Sequence, residues 1–166
     1  MAENGMQWYA IYTRSRHEKA VDSSLQVQGV ESFLPLYDVL SRWKDRRKWV
    51  RMPLFAGYLF AHLAPEDFAC ALGVRGVVHI VGDGGGPVPV PGVQVEAIRG
   101  MVEKPVTVSP WPHMPTGKRV RVKLGPLAGM EGFVVRRGKQ CRLVISVDLL
   151  GRGVAAEIDA NYLEPI

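Results

Sequence analysis

The last 50 residues of the chain cannot form a stable helix. Gly125, Pro126, Gly129, Gly132, Gly138, Gly151 and Gly153 interrupt them, and a glycine inside a helix costs about 1 kcal/mol relative to alanine, a proline about 3 kcal/mol. Between these breaks lie short runs rich in valine and isoleucine: Arg119–Lys123 (RVRVK), Gly132–Arg137, Arg142–Val147, Val154–Ile158 and Tyr162–Pro165. RVRVK alternates strictly, so Val120 and Val122 face one way and Arg119, Arg121 and Lys123 the other. Gly125-Pro126, Gly138 and Gly151 supply the turns. Five short strands with only turns between them predict a small β-barrel over 116–166, which closes its sheet and so hides its edges.

Ahead of this segment, Lys104–Thr116 (KPVTVSPWPHMPT) has prolines at 105, 110, 112 and 115 and neither a helical nor a strand period. It reads as a flexible linker over 104–115. Residues 7–103 then form a separate domain, with 1–6 expected to be disordered. Gln7–Thr13 is β-branched and aromatic, a strand. Ser15 and Glu18 have the spacing of a capping box, and Ala20, Val21, Leu25 and Gln28 follow on one helical face up to Gly29. Glu31–Leu40 and Arg51–Leu63 read as two strands joined by a basic hairpin whose tip is Lys44–Arg47. Pro65, Glu66 and Asp67 open a short helix that ends at Gly73. Gly76–Val81 is a strand, Gly82–Gly86 a turn, and Gly92–Glu103 a helix with Val95, Ile98, Met101 and Val102 inward. The order βαββαβα predicts an α+β domain, one antiparallel sheet with helices on it.

Charge is concentrated. The chain carries 21 basic and 16 acidic side chains. Arg42–Arg51 (RWKDRRKWVR) alone holds six of the former (Arg42, Lys44, Arg46, Arg47, Lys48 and Arg51) and one of the latter, a net +5. Residues 116–166 sum to +4 and the rest to −4. A basic island on a near-neutral chain suits a polyanion contact at one place. Trp43 and Trp49 interleave with its cations, which neutralise phosphates while indoles stack on unpaired bases. The same pattern also fits a solvated loop whose indoles pair across the hairpin.

Other classes are excluded. The apolar run Met52–Leu63 is broken by Pro53 and Gly57 and falls short of the roughly 20 residues of a membrane helix. The N-terminus lacks the apolar core of a signal peptide, so a cytoplasmic protein is expected. Cys70 and Cys141 are too few for a disulfide framework. His17, His62, His79 and His113 have no metal-ligand spacing. The glycine run lacks the G-K-[ST] of a phosphate loop, and no G-x-S-x-G elbow occurs. No enzyme, metal or cofactor is expected.

Gly117, Val120, Val122, Gly125-Pro126, Gly129 and Gly132 form a pattern that resembles the KOW motif, and Ser146–Arg152 (SVDLLGR) with Glu157–Asp159 continues it as in NusG-like transcription elongation factors. Trp8-Tyr9, Pro53–Phe60 (PLFAGYLF) and Arg75-Gly76-Val77 resemble the N-terminal domain of the same family. The departures are Ala56 in place of a usual proline and Leu127, Met130 and Leu150 where phenylalanines are common. They point to a specialised antitermination paralogue.

The resemblance implies that Tyr12, Phe55, Tyr58 and Phe60 dock on the clamp helices of the largest RNA polymerase subunit. It implies that Arg14 and Arg75, with the arm residues Arg42, Trp43, Lys44, Arg46, Arg47, Lys48 and Trp49, meet upstream or non-template DNA. It further implies that Leu127, Met130, Leu149, Leu150 and Arg152 of the KOW domain bind ribosomal protein uS10 or termination factor Rho. A monomer with no membrane partner is expected. Three alternatives stay open: a housekeeping factor that cooperates with Rho, a KOW-type RNA-binding or ribosome-associated protein, and an adaptor that binds only proteins.

Overall fold

A computed structural model describes residues 5–43 and 46–166. Of the six N-terminal residues expected to be disordered, 1–4 lie outside that range, as does Lys44 of the arm. The chain divides into two compact units, the first ending at Gly92 and the second spanning Val93–Ile166. The sequence expectation is one domain over 7–103 and another over 116–166; the compact units meet at the first residue of the third helix.

In the first unit, β1 (Gln7–Thr13), β2 (Glu31–Phe33), β5 (Tyr58–Leu63) and β6 (Val77–Ile80) form an antiparallel sheet in the order β2-β5-β1-β6. Helices α1 (Glu18–Val27) and α2 (Phe68–Leu72) cover one face. Val21 and Leu25 of α1 and Ala71 of α2 join Tyr9, Ile11, Leu59, Ala61, Leu63 and Ile80 in one buried cluster. The alternation of β1 and β5 sends these odd-numbered residues toward the helices.

The two long strands expected on either side of the basic segment are each broken. Glu31–Phe33 pairs with β5, and the chain then leaves the sheet at Pro35. A separate two-stranded ribbon follows, β3 (Leu36–Trp43) against β4 (Arg46–Pro53). Its base is closed by a hydrogen bond from the Leu54 amide to the Pro35 carbonyl, 2.9 Å. On the return leg, Leu54–Gly57 is a turn: the Tyr58 amide donates to the Phe55 carbonyl at 2.9 Å, and Gly57 has φ +86°. Strict strand alternation through residues 54–60 would set Phe55 and Phe60 on opposite faces. Their rings are in edge-on contact, 5.6 Å between centroids, and both are fully buried.

The capping box is also absent. His17 occupies the N-cap with no side-chain cap bond. Glu18 is buried and turned to the loop, its Oε2 accepting from the Gly57 amide at 2.8 Å. Glu18→Ala leaves that amide without its acceptor and is expected to cost about 1–3 kcal/mol. Glu18→Gln, which keeps an oxygen there, should cost less; thermal unfolding of the two variants checks the order. At α2 the expectation holds: Pro65 opens a helical turn, and Asp67 Oδ2 accepts from the Ala64 amide at 2.9 Å.

The second unit contains α3 (Gly92–Val102) from its second residue onward and six strands: β7 (Val108–Trp111), β8 (Lys118–Val122), β9 (Glu131–Arg137), β10 (Gln140–Val147), β11 (Arg152–Glu157) and β12 (Leu163–Pro165). Their order is β12-β8-β9-β10-β11-β7, antiparallel throughout. Five of the six are the strands expected from the glycine-punctuated sequence. β7 is not: it comes from the stretch read as a structureless linker and extends the sheet past β11. The C-terminal part is the all-β domain that the sequence predicts, with β7 added to the five expected strands and β12 and β7 at the two ends of the strand order. Gly132 and Gly153 lie in its interior, where a Cβ at either position would press on the neighbouring strand's backbone. Among the described residues no helix is long and apolar enough to cross a membrane, and no three His, Cys, Asp or Glu side chains group to hold a metal.

Candidate functional site

The face of the first sheet turned away from α1 and α2 carries rows of directly opposed residues. Phe33, Phe60 and Ala10 make one row, Tyr58, Tyr12 and His79 the next. In the first row Phe60 is fully buried, in ring contact with Phe33 (6.2 Å) and Phe55 (5.6 Å). The second row lies open. Tyr12 is 36% exposed, His79 is exposed and Tyr58 is half-buried. The Tyr12 ring lies 5.1 Å from Tyr58 and 5.2 Å from His79. The four aromatics proposed as one contact set are therefore two layers. Phe55 and Phe60 are withdrawn from the surface, while Tyr12 and Tyr58 form it with His79, which sequence reasoning missed. Only the pairing of β6 with β1 brings His79 to that row.

The same strands carry the cations onward. The Arg14 amide donates to the Gly76 carbonyl at 2.8 Å, which sets Arg14 beside the Arg75-Gly76-Val77 turn; both arginines are exposed. Gly76 has φ +99°, and a Cβ there would lie 3.0 Å from His17 Cβ and Val21 Cγ2. That turn needs glycine because it packs on α1. An exposed aromatic row with two arginines at its end suits a partner surface that presents apolar and acidic groups.

On the ribbon, the register sets Arg42 opposite Arg47, Leu40 opposite Trp49 and Asp38 opposite Arg51. Trp43 is opposite Arg46, so the two tryptophans are not cross-strand partners. The side chain of Trp43 lies outside the described residues. Arg42, Arg46, Arg47 and Lys48 are exposed, and Trp49 is 67% exposed. Only Arg51 of this segment is in an ion pair among the described residues, with Asp38 at 3.6 Å. Directly opposed side chains share a face, so Arg42 and Arg47 stand together beside Trp49; like charges so placed repel until an anion meets them.

In the second unit, Leu127 is 2% exposed and belongs to the packed interior, which removes it from the contact residues. It anchors the Gly125–Met130 turn, where the Met130 amide donates to its carbonyl at 3.0 Å. Met130, Leu149, Leu150 and Arg152 are half-buried. Leu149 and Leu150 share the 3₁₀ turn Asp148–Leu150, which Gly151 ends at φ +66°. Asp148 is held by Gln94 of α3: Gln94 Nε2 donates to Asp148 Oδ2 (3.2 Å) and the Asp148 amide donates to Gln94 Oε1 (3.3 Å). This clasp had no sequence signature, since 54 residues separate the partners.

Comparison with known proteins places this architecture. The chain is 28% identical to the transcription termination/antitermination protein NusG of Staphylococcus carnosus (strain TM300) and 27% identical to that of Vibrio vulnificus (strain CMCP6), with 96% of each chain covered in both cases. A solved structure of Thermotoga maritima NusG superposes with a TM-score of 0.58 at 20% identity, covering 97% of each chain. The family model described as transcription termination factor nusG matches residues 6–99, more than half of the chain, and the protein is therefore a member of the NusG family of transcription factors.

Proposed function

We propose that this protein is a transcription elongation factor that docks on the clamp helices of the largest RNA polymerase subunit and suppresses pausing and termination. The observation that carries this reading is the open row Tyr58–Tyr12–His79 over a closed phenylalanine layer. It is a rigid aromatic surface on a sheet, with little side-chain entropy to lose on binding. No bond is made or broken. A ligand that prefers the closed clamp shifts the clamp equilibrium by its differential affinity for the two states. The basic ribbon contacts upstream or non-template DNA in the same complex, with Arg14 and Arg75 extending the cationic surface.

The second unit recruits ribosomal protein uS10 or Rho through Met130, Leu149, Leu150 and Arg152, at the high effective concentration a tethered domain provides. In vitro transcription with purified polymerase tests the reading. The wild-type chain should shorten pauses and raise terminator read-through. Tyr12→Ala combined with Tyr58→Ala should lose polymerase binding by about 30-fold or more, the range of a hot-spot pair. A double variant that binds polymerase as well as wild type overturns the docking site. The same assay with and without Rho separates an antiterminator from a Rho-cooperating factor, because the two move read-through in opposite directions.

A further inference from the structure

The register of the ribbon sorts its cations onto two sides. Counted inward from the outer end, the opposed pairs are Trp43 with Arg46, Arg42 with Arg47, Ser41 with Lys48 and Leu40 with Trp49. Successive pairs point to opposite faces. One face therefore carries Arg42, Arg47 and Trp49, and the other carries Arg46 and Lys48. All five are exposed, and among the described residues none of the four cations is in an ion pair. Further in, the likeness of the two faces ends: Asp38 and Arg51 lie ion-paired on the first, while Val39, Val50, Tyr37 and Met52 make the second apolar.

Each face spaces its two cations to suit one strand of nucleic acid. Arg42 and Arg47 are directly opposed, with about 5 Å between Cβ atoms. Arg46 and Lys48 are two residues apart on β4, about 7 Å. Phosphates of one DNA strand advance by about 3.4 Å along the axis of a duplex, so either pair spans about two of them. A DNA strand lying on one face leaves the cations of the other without a counter-charge. It reaches them only by folding back round the end of the ribbon, at the entropic cost of closing that loop. Two DNA strands that already diverge incur no such cost, and a cationic layer between them offsets their mutual repulsion on both sides. Trp49 selects for unpaired DNA: a free base can stack on its exposed indole, whereas in a duplex groove the bases are already stacked on one another.

We propose that the outer end of the ribbon is a two-sided wedge that takes both separated strands of a DNA fork at once, one on each face. Phosphates of one DNA strand lie at Arg42 and Arg47 with an unpaired base on Trp49, and phosphates of the other lie at Arg46 and Lys48. Binding the first arm makes the second contact intramolecular, which raises affinity. Seated between the arms, the ribbon blocks their re-pairing at that point. The proposal rests on the reading that the ribbon meets DNA, and it names the form of DNA that fits.

The test uses the full-length chain and three labelled DNA probes built on the same duplex: a blunt end, one unpaired arm, and two non-complementary arms. The arms are too short to fold back round the ribbon. Fluorescence anisotropy should show the two-armed fork bound about tenfold or more tighter than the one-armed probe. Its slope of log affinity against log salt should be steeper by about 1.4, the value for two further single-strand phosphates. Arg42→Glu with Arg47→Glu clears one face, and Arg46→Glu with Lys48→Glu clears the other; all four side chains are exposed. Either double variant should bind the two-armed fork no more tightly than wild type binds the one-armed probe. Equal wild-type affinity for one arm and two overturns the proposal. So does a result in which one double variant loses all binding and the other loses none. A blunt duplex bound as tightly as the fork would assign the ribbon to a duplex groove and overturn the fork assignment. Absence of binding to every probe overturns the DNA contact itself and the proposal with it, so the two failures are distinguishable.

Discussion

Phe60→Ala is expected to destabilise the N-terminal unit by about 3–5 kcal/mol, the range for deleting a buried phenylalanine side chain. The ring is fully buried against those of Phe33 and Phe55, with Ala10 across the strand, so its removal takes away both ring contacts and leaves a cavity in the packed layer. Against a total stability of about 5–15 kcal/mol for a domain, the loss is large enough to populate the unfolded state at physiological temperature. Tyr58→Ala, two residues earlier on the same face of β5, should behave oppositely: a modest loss of stability and a large loss of polymerase binding. Urea unfolding and a polymerase pull-down, run on both variants, separate the two layers. A Phe60→Ala chain with wild-type stability, or a Tyr58→Ala chain as unstable as Phe60→Ala, would mean that the division between floor and surface is misplaced.

The second large effect belongs to the ribbon. Binding to a labelled single-stranded DNA should be weak, with a dissociation constant on the order of 10⁻⁴–10⁻⁶ M at physiological salt, and steeply salt-dependent. Reversing Arg46 and Arg47 to glutamate should flatten the slope of log affinity against log salt by about 2, one unit for each phosphate contact removed. At low salt it should weaken binding by about tenfold or more. Trp49→Ala tests a different component. It should lower affinity at every salt concentration by the about 1–3 kcal/mol of a base-stacking contact, leaving the slope unchanged. Fluorescence anisotropy across a salt series measures both. If neither variant changes DNA binding or its salt dependence, the arm is not the contact, and the adaptor that binds only proteins becomes the better description.

Elements whose pattern is local were legible in the sequence. Gln7–Thr13 is the strand its β-branched and aromatic residues predict, α3 ends one residue before its expected limit, and the five glycine-bounded strands of the C-terminal sheet all exist. What was missed depends on partners distant in sequence. Glu18 has the spacing to cap its own helix, yet it serves the Gly57 amide 39 residues away. Val108–Trp111 has prolines that argue against a strand, yet an edge position needs donors on one side only, and Gly153 supplies the place for Trp111. The candidate site followed the same division. The residue types of the aromatic set were visible, but the turn at Leu54–Gly57 decided that Phe55 would cover Phe60, and the pairing of β6 with β1 decided that His79 would join the tyrosines. Leu127 was chosen by motif position, and burial removed it from the surface.

The ribbon's length has an electrostatic consequence. From Leu36 to Trp43 it runs seven residue steps, which at about 3.4 Å each puts its outer end about 24 Å from its base. The Debye length at physiological salt is about 8 Å, so the outer end stands roughly three screening lengths from the base. Acidic side chains elsewhere in the unit that lie beyond that distance scarcely reduce the potential at the end of the ribbon, although they cancel most of its charge in the sum for that unit. A polyanion arriving at that end would meet a strongly cationic object and would begin to sense the acidic remainder only after it had been captured.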